Sequence, residues 1–281
     1  MVRDQMKIIL VTGATDGIGF ATATELARQG HELVLHGRNE EKALRAVEAI
    51  RTVAPQAVLH TAHADFSGLS DVARMAQDLS ARLPRLDVLI NNAGVYMTER
   101  TVSQDGYEMT LAVNHLAPFL LTSLLLPLLK KSAAPRVVTV SSMVHASGRI
   151  VFDDMNCESG YNGYHAYANS KLANALFANE LARRERWLAS NSLHPGVIGT
   201  KLLHAAFSMP GSATAEGART SVYLAASPAV EGVTGKYFDN CTETAAAAQA
   251  LDQQLARQLW VWSEDAVRDF LQLPQSRGNS K

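Results

Sequence analysis

The chain has little that would suit a polyanionic partner. Its 26 Lys and Arg are matched by 27 Asp and Glu, for a formal net charge of -1, and no block of basic residues stands out. Nucleic acid is therefore not an expected partner. Cysteine is nearly absent. Cys157 and Cys241 make neither a framework of bridges nor a metal spacing, which fits free thiols in a reducing cytoplasmic compartment. The nine histidines show no His-x-x-x-His pattern and no Cys/His cluster, so no metal is expected. Long apolar runs are also missing. The longest, LAPFLLTSLLLPLL at 116–129, is cut by two prolines and falls short of the about 20 residues that span a bilayer. The opening MVRDQMKIILVTG has no signal-peptide core. The expectation is a chain without a membrane segment, in which 116–129 is a buried helix.

Hydrophobic residues, by contrast, make up 47% of the 281 residues, ample for a large core. Short apolar runs (KIILVT 7–12, ELVLH 32–36, AVLHTA 57–62, LDVLIN 86–91 and RVVTVS 136–141) alternate with stretches of helical period. Consecutive β-branched residues and leucines in three of them need cover on both faces, as in a parallel sheet between helix layers. SNSLH and GKYF extend the count to about seven strands. A helix over 166–184 and a closing amphipathic helix over 247–271, with Leu251, Leu255, Leu259 and Trp262 on one stripe, complete the pattern. No linker or repeat divides the chain. The predicted architecture is one doubly wound α/β domain, 1–281, with helices on both faces of the sheet.

Two short stretches carry chemistry. TGATDGIG follows the first strand and opens the first helix, so Gly13, Gly17 and Gly19 allow a close approach to a pyrophosphate held by free N–H groups and the positive helix end. Its Gly-x-x-x-Gly-x-Gly spacing differs from the commoner dinucleotide fingerprint. In YANSK, Tyr167 and Lys171 stand one helical turn apart on a shared face. That spacing alone suits a solvated helix face as well as a proton-transfer pair.

Five motifs in order, TGATDGIG, NNAG (91–94), VSS (140–142), YANSK and HPG (194–196), resemble the short-chain dehydrogenase/reductase family over residues 7 to about 240. YANSKLANALFANELARR followed by SLHPGVIGTKL is similar to the branch with retinol dehydrogenases and related carbonyl reductases. The resemblance implies a Rossmann fold and a catalytic set of Asn114, Ser142, Tyr167 and Lys171, with Asn114 in a distorted part of the long helix. It implies cofactor contacts from Gly13, Thr15, Asp16, Gly17, Ile18 and Gly19, from Asp65 and Phe66, and from Asn91, Ala93 and Gly94. Pro195, Gly196, Ile198 and Thr200 complete that set, with Tyr167 and Lys171 again. Lys171 and an oxidised nicotinamide would bias Tyr167 toward phenolate. The reaction implied is hydride exchange with a small-molecule carbonyl or alcohol.

Residues 143–166 and 200–215 are the expected walls of the substrate pocket, with Met143, His145, Phe152 and Tyr161 as candidate contacts and 201–213 as a lid. HGRN at 36–39 ends the second strand without a carboxylate, so Arg38 points to NADP(H), although Asp16 lies where some NADP users carry a basic residue. Membrane-bound retinol dehydrogenases carry an N-terminal anchor. The near-immediate first strand here counts against a retinoid substrate. The apolar positions Leu116, Phe119, Leu120, Leu124 and Leu128 suggest a homo-oligomer, dimer or tetramer, joined through the long helix and the Tyr167 helix. Two other functions share these motifs: reduction of a carbon–carbon double bond, as in light-dependent protochlorophyllide reductases, where Cys157 is an uncertain match to the active-site cysteine, and non-catalytic sensing of a dinucleotide.

Overall fold

A computed structural model describes residues 6–207 and 209–271. Strands β1 (Ile8–Val11) and β4 (Val88–Asn91) are buried along their whole length. Alternate residues explain how: Ile8 and Leu10 join the core under the third helix and the long helix, while Ile9 and Val11 join the core on the opposite face. Around them lie β2 (Glu32–Gly37), β3 (Leu59–His63), β5 (Arg136–Val140), β6 (Ala189–His194), β7 (Tyr237–Asp239) and β8 (Thr242–Thr244). The sheet order is β3-β2-β1-β4-β5-β6-β7-β8. The chain winds outward from β1 in one direction and from β4 in the other, so the crevice between their carboxyl ends is the switch point where ligands bind in such sheets.

Seven strands are parallel, as predicted, and an eighth runs antiparallel to β7. It follows a two-residue turn in which Asn240 (φ 45) and Cys241 (φ 60) are both left-handed, the geometry that matches hairpin twist. Cysteine is no turn signal, and the hairpin could not be read from it.

Helices α1 (Gly17–Arg28), α2 (Glu40–Val53) and α3 (Leu69–Arg82) are the first three crossovers. The long segment begins as α4 (Met109–Leu111), widens into a π turn at Ala112–Leu116 and continues as α5 (Ala117–Leu129). Pro118 has no N–H to give the Asn114 carbonyl, and the Ala117 amide bonds back to Ala112 instead. This continuous helix, Met109–Leu129, is 21 residues long with a mean hydropathy of 1.6, so it is long and apolar enough to cross a bilayer, unlike the shorter 116–129 run. In the protein, 78% of its apolar window is buried.

The next helices are α6 (Gly163–Arg184), α7 (Lys201–Phe207) and α8 (Thr214–Ala226). The C-terminal segment forms α9 (Gln253–Ala266) and α10 (Arg268–Leu271). It corrects the expected stripe, since Leu251 is outside the helix and exposed, and Trp260 rather than Trp262 is the deeply buried indole. Trp260 stacks on Phe177 of α6 at 5.9 Å, meets Phe119 of α5 edge-on at 4.9 Å and lies under the Arg184 guanidinium. His115 bonds Ser263 and Tyr107 bonds the Ala266 carbonyl across the same contact.

These contacts bear on the oligomer. Leu116, Phe119, Leu120 and Leu128 are buried inside the chain, and α9 lies on the α5/α6 face. Of the positions that suggested a two-fold contact, Phe119 is covered by Trp260 of the chain's own C-terminal helix. Trp260→Ala is expected to cost about 3–5 kcal/mol, because it empties a site walled by two rings. Chemical denaturation measures this, and a loss below 1 kcal/mol would show that α9 is loosely attached.

Candidate active site

The glycine-rich turn leaves β1 at the switch point. Gly13 has φ +65, and a Cβ there would press on Ala93, while one at Gly19 would collide with the Gly13 carbonyl. Both glycines thus let α1 close on the turn. No acidic residue lies in the first turn of α1, whose N-cap is Asp16. Asp16 is exposed and ion-paired to Lys201 at the start of α7, which pulls its carboxyl below the usual range. Its charge is thereby partly offset, easing the conflict with a phosphate. Thr15 packs over Gly37, and Ile18 packs with Ile198 around Gly217.

Two motif residues not among the expected cofactor contacts, Thr12 after β1 and Asn92 after β4, tie this turn to the end of β4. Asn92 donates to the Thr12 carbonyl at 2.7 Å, and Thr12 Oγ1 accepts from the amides of Asn92 and Ala93. The side chain expected to serve the cofactor floor, Asn91, points the other way and donates to Thr122 Oγ1 inside the core. The floor itself is Ala93 and Gly94. A Cβ on Gly94 would lie 3.3 Å from Asn114 Oδ1 and 3.6 Å from Lys171 Nζ, so the absence of one keeps that space open.

Asn114 sits in the π turn and clamps the loop segment following the floor. Its Oδ1 accepts from the Val95 amide, and its Nδ2 donates to the Val95 carbonyl and to Ser170 Oγ. Ser170 in turn donates to the Tyr167 carbonyl. Asn114 is thus tied to the Tyr167 helix through one hydroxyl. From β5, Ser141 turns inward to the Lys171 carbonyl, and Ser142 caps the short helix Met143–Ser147 with its side chain partly open.

Lys171 is 3% exposed and donates to the Val140 carbonyl at 3.0 Å, with its Nζ 5.4 Å from the centre of the Tyr167 ring. Burial pushes its amine down to about 8, and burial pushes the Tyr167 phenol upward. Dehydration of the phenol outweighs an ammonium that is bonded to a carbonyl, and Tyr167 is held as the acid form, the form that gives a proton.

Several anticipated contacts also serve the fold. Phe66 is 4% exposed with its ring against His36, so only its backbone is free for a ligand. Asp65 accepts from the Ser67 amide. Ile198 is buried, and Thr200 accepts from the Leu203 amide and caps α7. Pro195 and Gly196 are partly exposed beside it. Arg38 is exposed, with no ion pair among the described residues. Within 143–166, His145 is bonded to the Ser142 carbonyl and the Ala247 amide, Tyr161 to the Met97 carbonyl and Glu108, and Phe152 packs against the α6/α9 core. Burial and Glu108 push the Cys157 thiol up, so it is not a poised thiolate. Met143 remains free, at 58% exposure.

Three aromatic residues, Tyr164 and Phe207 from the expected wall segments and Tyr96 from outside them, wall the approach to Tyr167. Tyr96 lies 5.6 Å from the Tyr167 ring and 6.1 Å from Phe207, which also meets Tyr164. Of the expected lid 201–213, residues 201–207 form α7, and Ser208 lies outside the described residues. A surface groove of about 1350 Å³ between α1 and α8 shares no residue with this site.

The short chain dehydrogenase family profile matches residues 7–211. The chain belongs to this family. Within it, retinol dehydrogenase 14 of Mus musculus is 43% identical over 93% of this chain and 86% of its own length, and retinol dehydrogenase 13 of Homo sapiens is 39% identical over 93% and 84%. Among solved structures, an uncharacterized protein from Mycobacterium paratuberculosis superposes with a TM-score of 0.78 at 33% identity, covering 95% of this chain and 97% of that one. A short chain dehydrogenase from Shigella flexneri complexed with NADP gives 0.68 at 30% identity, covering 85% and 99%. The protein is a short-chain dehydrogenase-type oxidoreductase that resembles retinol dehydrogenases, and the family binds a nicotinamide dinucleotide. The residues present fit such a group: a glycine turn at a helix N-terminus, an open floor at Gly94, and a buried lysine beside it.

Proposed function

We propose that the protein interconverts a ketone or aldehyde with the corresponding alcohol and prefers NADP(H). The observation that carries this reading is the Tyr167 phenol, which has no hydrogen-bond partner among the described residues and stands beside the Lys171 ammonium. The bound dinucleotide would supply or accept the hydride. Tyr167 gives its proton to the carbonyl oxygen, and the Ser142 hydroxyl donates a hydrogen bond to the same oxygen. Lys171 holds positive charge next to the ring as the phenol gives up its proton, and Asn114 fixes the Tyr167 helix against the floor. Pro195 and Gly196 line the crevice on the β6 side.

Tyr96, Tyr164 and Phe207 give the approach an aromatic wall, which suits a lipophilic carbonyl compound. The retinol dehydrogenase relatives are named for a lipophilic alcohol, the reduced partner of such a compound.

The NADP(H) preference rests on Arg38, exposed after β2 where no carboxylate competes, and is supported by the solved relatives complexed with NADP and NADPH. One well-made guanidinium–phosphate bond is worth about 1.5–3 kcal/mol, or about a ten- to hundred-fold preference. Arg38→Ala is expected to erase that ratio. The measurement is kcat/KM with NADPH and NADH for both proteins. A wild type that favours NADH, or an unchanged ratio in the variant, would contradict the assignment.

A further inference from the structure

His36, the first residue of HGRN, is not among the expected cofactor contacts, yet it touches three parts of the dinucleotide site with one side chain. Its Nδ1 accepts from the Gly13 amide at 3.1 Å, and its own carbonyl accepts from the Ala14 amide at 2.8 Å, so it receives two successive amides of the glycine-rich turn. Nε2 lies 3.0 Å from the Ala64 carbonyl, immediately before Asp65. The ring stacks on Phe66 at 4.3 Å and 17°. Gly37 and Arg38 follow directly in the chain.

The two bonds define the ring's state. Gly13 needs an unprotonated Nδ1 and Ala64 needs a hydrogen on Nε2, so the imidazole is the neutral Nε2–H tautomer. It is 3% exposed, and burial pushes it down to about 4, so the neutral form persists at ordinary pH. A ring bonded at both nitrogens and stacked on one face has no rotational freedom left. It sits opposite Asn92, which grips the same turn from β4.

We propose that His36 is the positioning residue of the adenosine half of the dinucleotide site: it fixes the glycine-rich turn to the end of β3 and props the Phe66 ring, so that Gly13, Asp65 and Arg38 are set before the ligand arrives. This rests on the dinucleotide-binding reading above. Preorganisation of this kind appears as affinity, because the turn no longer has to be ordered by the ligand.

The test needs no substrate. NADPH and 2′,5′-ADP are titrated calorimetrically into wild type, His36→Leu and His36→Asn. Leu keeps apolar volume and loses both bonds, and it is expected to weaken both ligands about 10- to 100-fold. Asn places its amide oxygen where Nδ1 accepts from Gly13 and is expected to stay within about 5-fold of wild type. Packing alone would rank the variants the other way. Leu binding as well as Asn or better, or a loss for NADPH that 2′,5′-ADP does not share, would overturn the proposal. Should the Leu variant fail to fold by circular dichroism, His36→Gln, which reaches Ala64 but not Gly13, replaces it with the same expected loss. A wild type that does not bind NADPH would instead overturn the function proposed above.

Discussion

Tyr167→Phe is expected to lower kcat by about 100- to 10,000-fold, the usual worth of a positioned general acid, while leaving NADPH affinity within a few-fold. The ring is held by burial and by its neighbours Tyr96 and Lys171, none of which contacts the hydroxyl through a hydrogen bond. Deleting the oxygen therefore strands no buried partner, and the fold has no reason to respond. The change isolates the proton from everything else the ring does. Equilibrium binding and single-turnover reduction on the same preparation separate the two, and a variant with near-normal kcat would remove Tyr167 from the mechanism.

Lys171→Met is expected to move activity and stability in opposite directions. Turnover falls by about 100-fold or more, because the charge beside the phenol goes. Stability rises, since an amine held near 8 instead of its ordinary 10.5 is charged at neutral pH against the preference of its site. That difference corresponds to a burden on the order of 3 kcal/mol, reduced by about 1 kcal/mol for the lost bond to the Val140 carbonyl. Val140 keeps a second donor in Asn174 Nδ2. The sign in pH follows from the lysine binding its proton less tightly when folded than when unfolded. The burden is complete below about 8 and disappears as pH rises through 10.5. Denaturation midpoints should thus favour the Met variant clearly at pH 7 and hardly at all at pH 10.5. A variant less stable at pH 7 would show that Lys171 is part of the scaffold rather than a strained functional group.

The parts of this protein that could be read in advance are those where one residue type has one physical use. Glycines at a strand-to-helix turn, buried β-branched runs and the Tyr167/Lys171 spacing each appeared where expected. The π turn follows from Pro118, whose missing amide disturbs the helix at Asn114. Other features depend on partners far away in sequence. Nothing local to Asn91 and Asn92 tells which amide grips the glycine turn and which enters the core, because that is decided by Thr12 and Thr122. His36 looks like an ordinary strand residue until Gly13 and Ala64 are brought to it. Phe119 of α5 looks unpartnered only while Trp260 of α9 is out of sight. The Asn240–Cys241 hairpin turn was hidden for the opposite reason, since cysteine seldom adopts the left-handed geometry found there.

Hydride exchange at a carbonyl carbon is the central claim, and it is tested most directly by following the hydrogen itself. The protein is incubated with NADPH carrying deuterium at C4 of the nicotinamide and a series of lipophilic aldehydes and ketones, and the products are analysed by NMR. The account predicts deuterium on the carbinol carbon of an alcohol product, formed by wild type and lost in Tyr167→Phe. Deuterium on a saturated carbon–carbon bond, or NADPH bound tightly with no label transferred to any carbonyl compound, would contradict it.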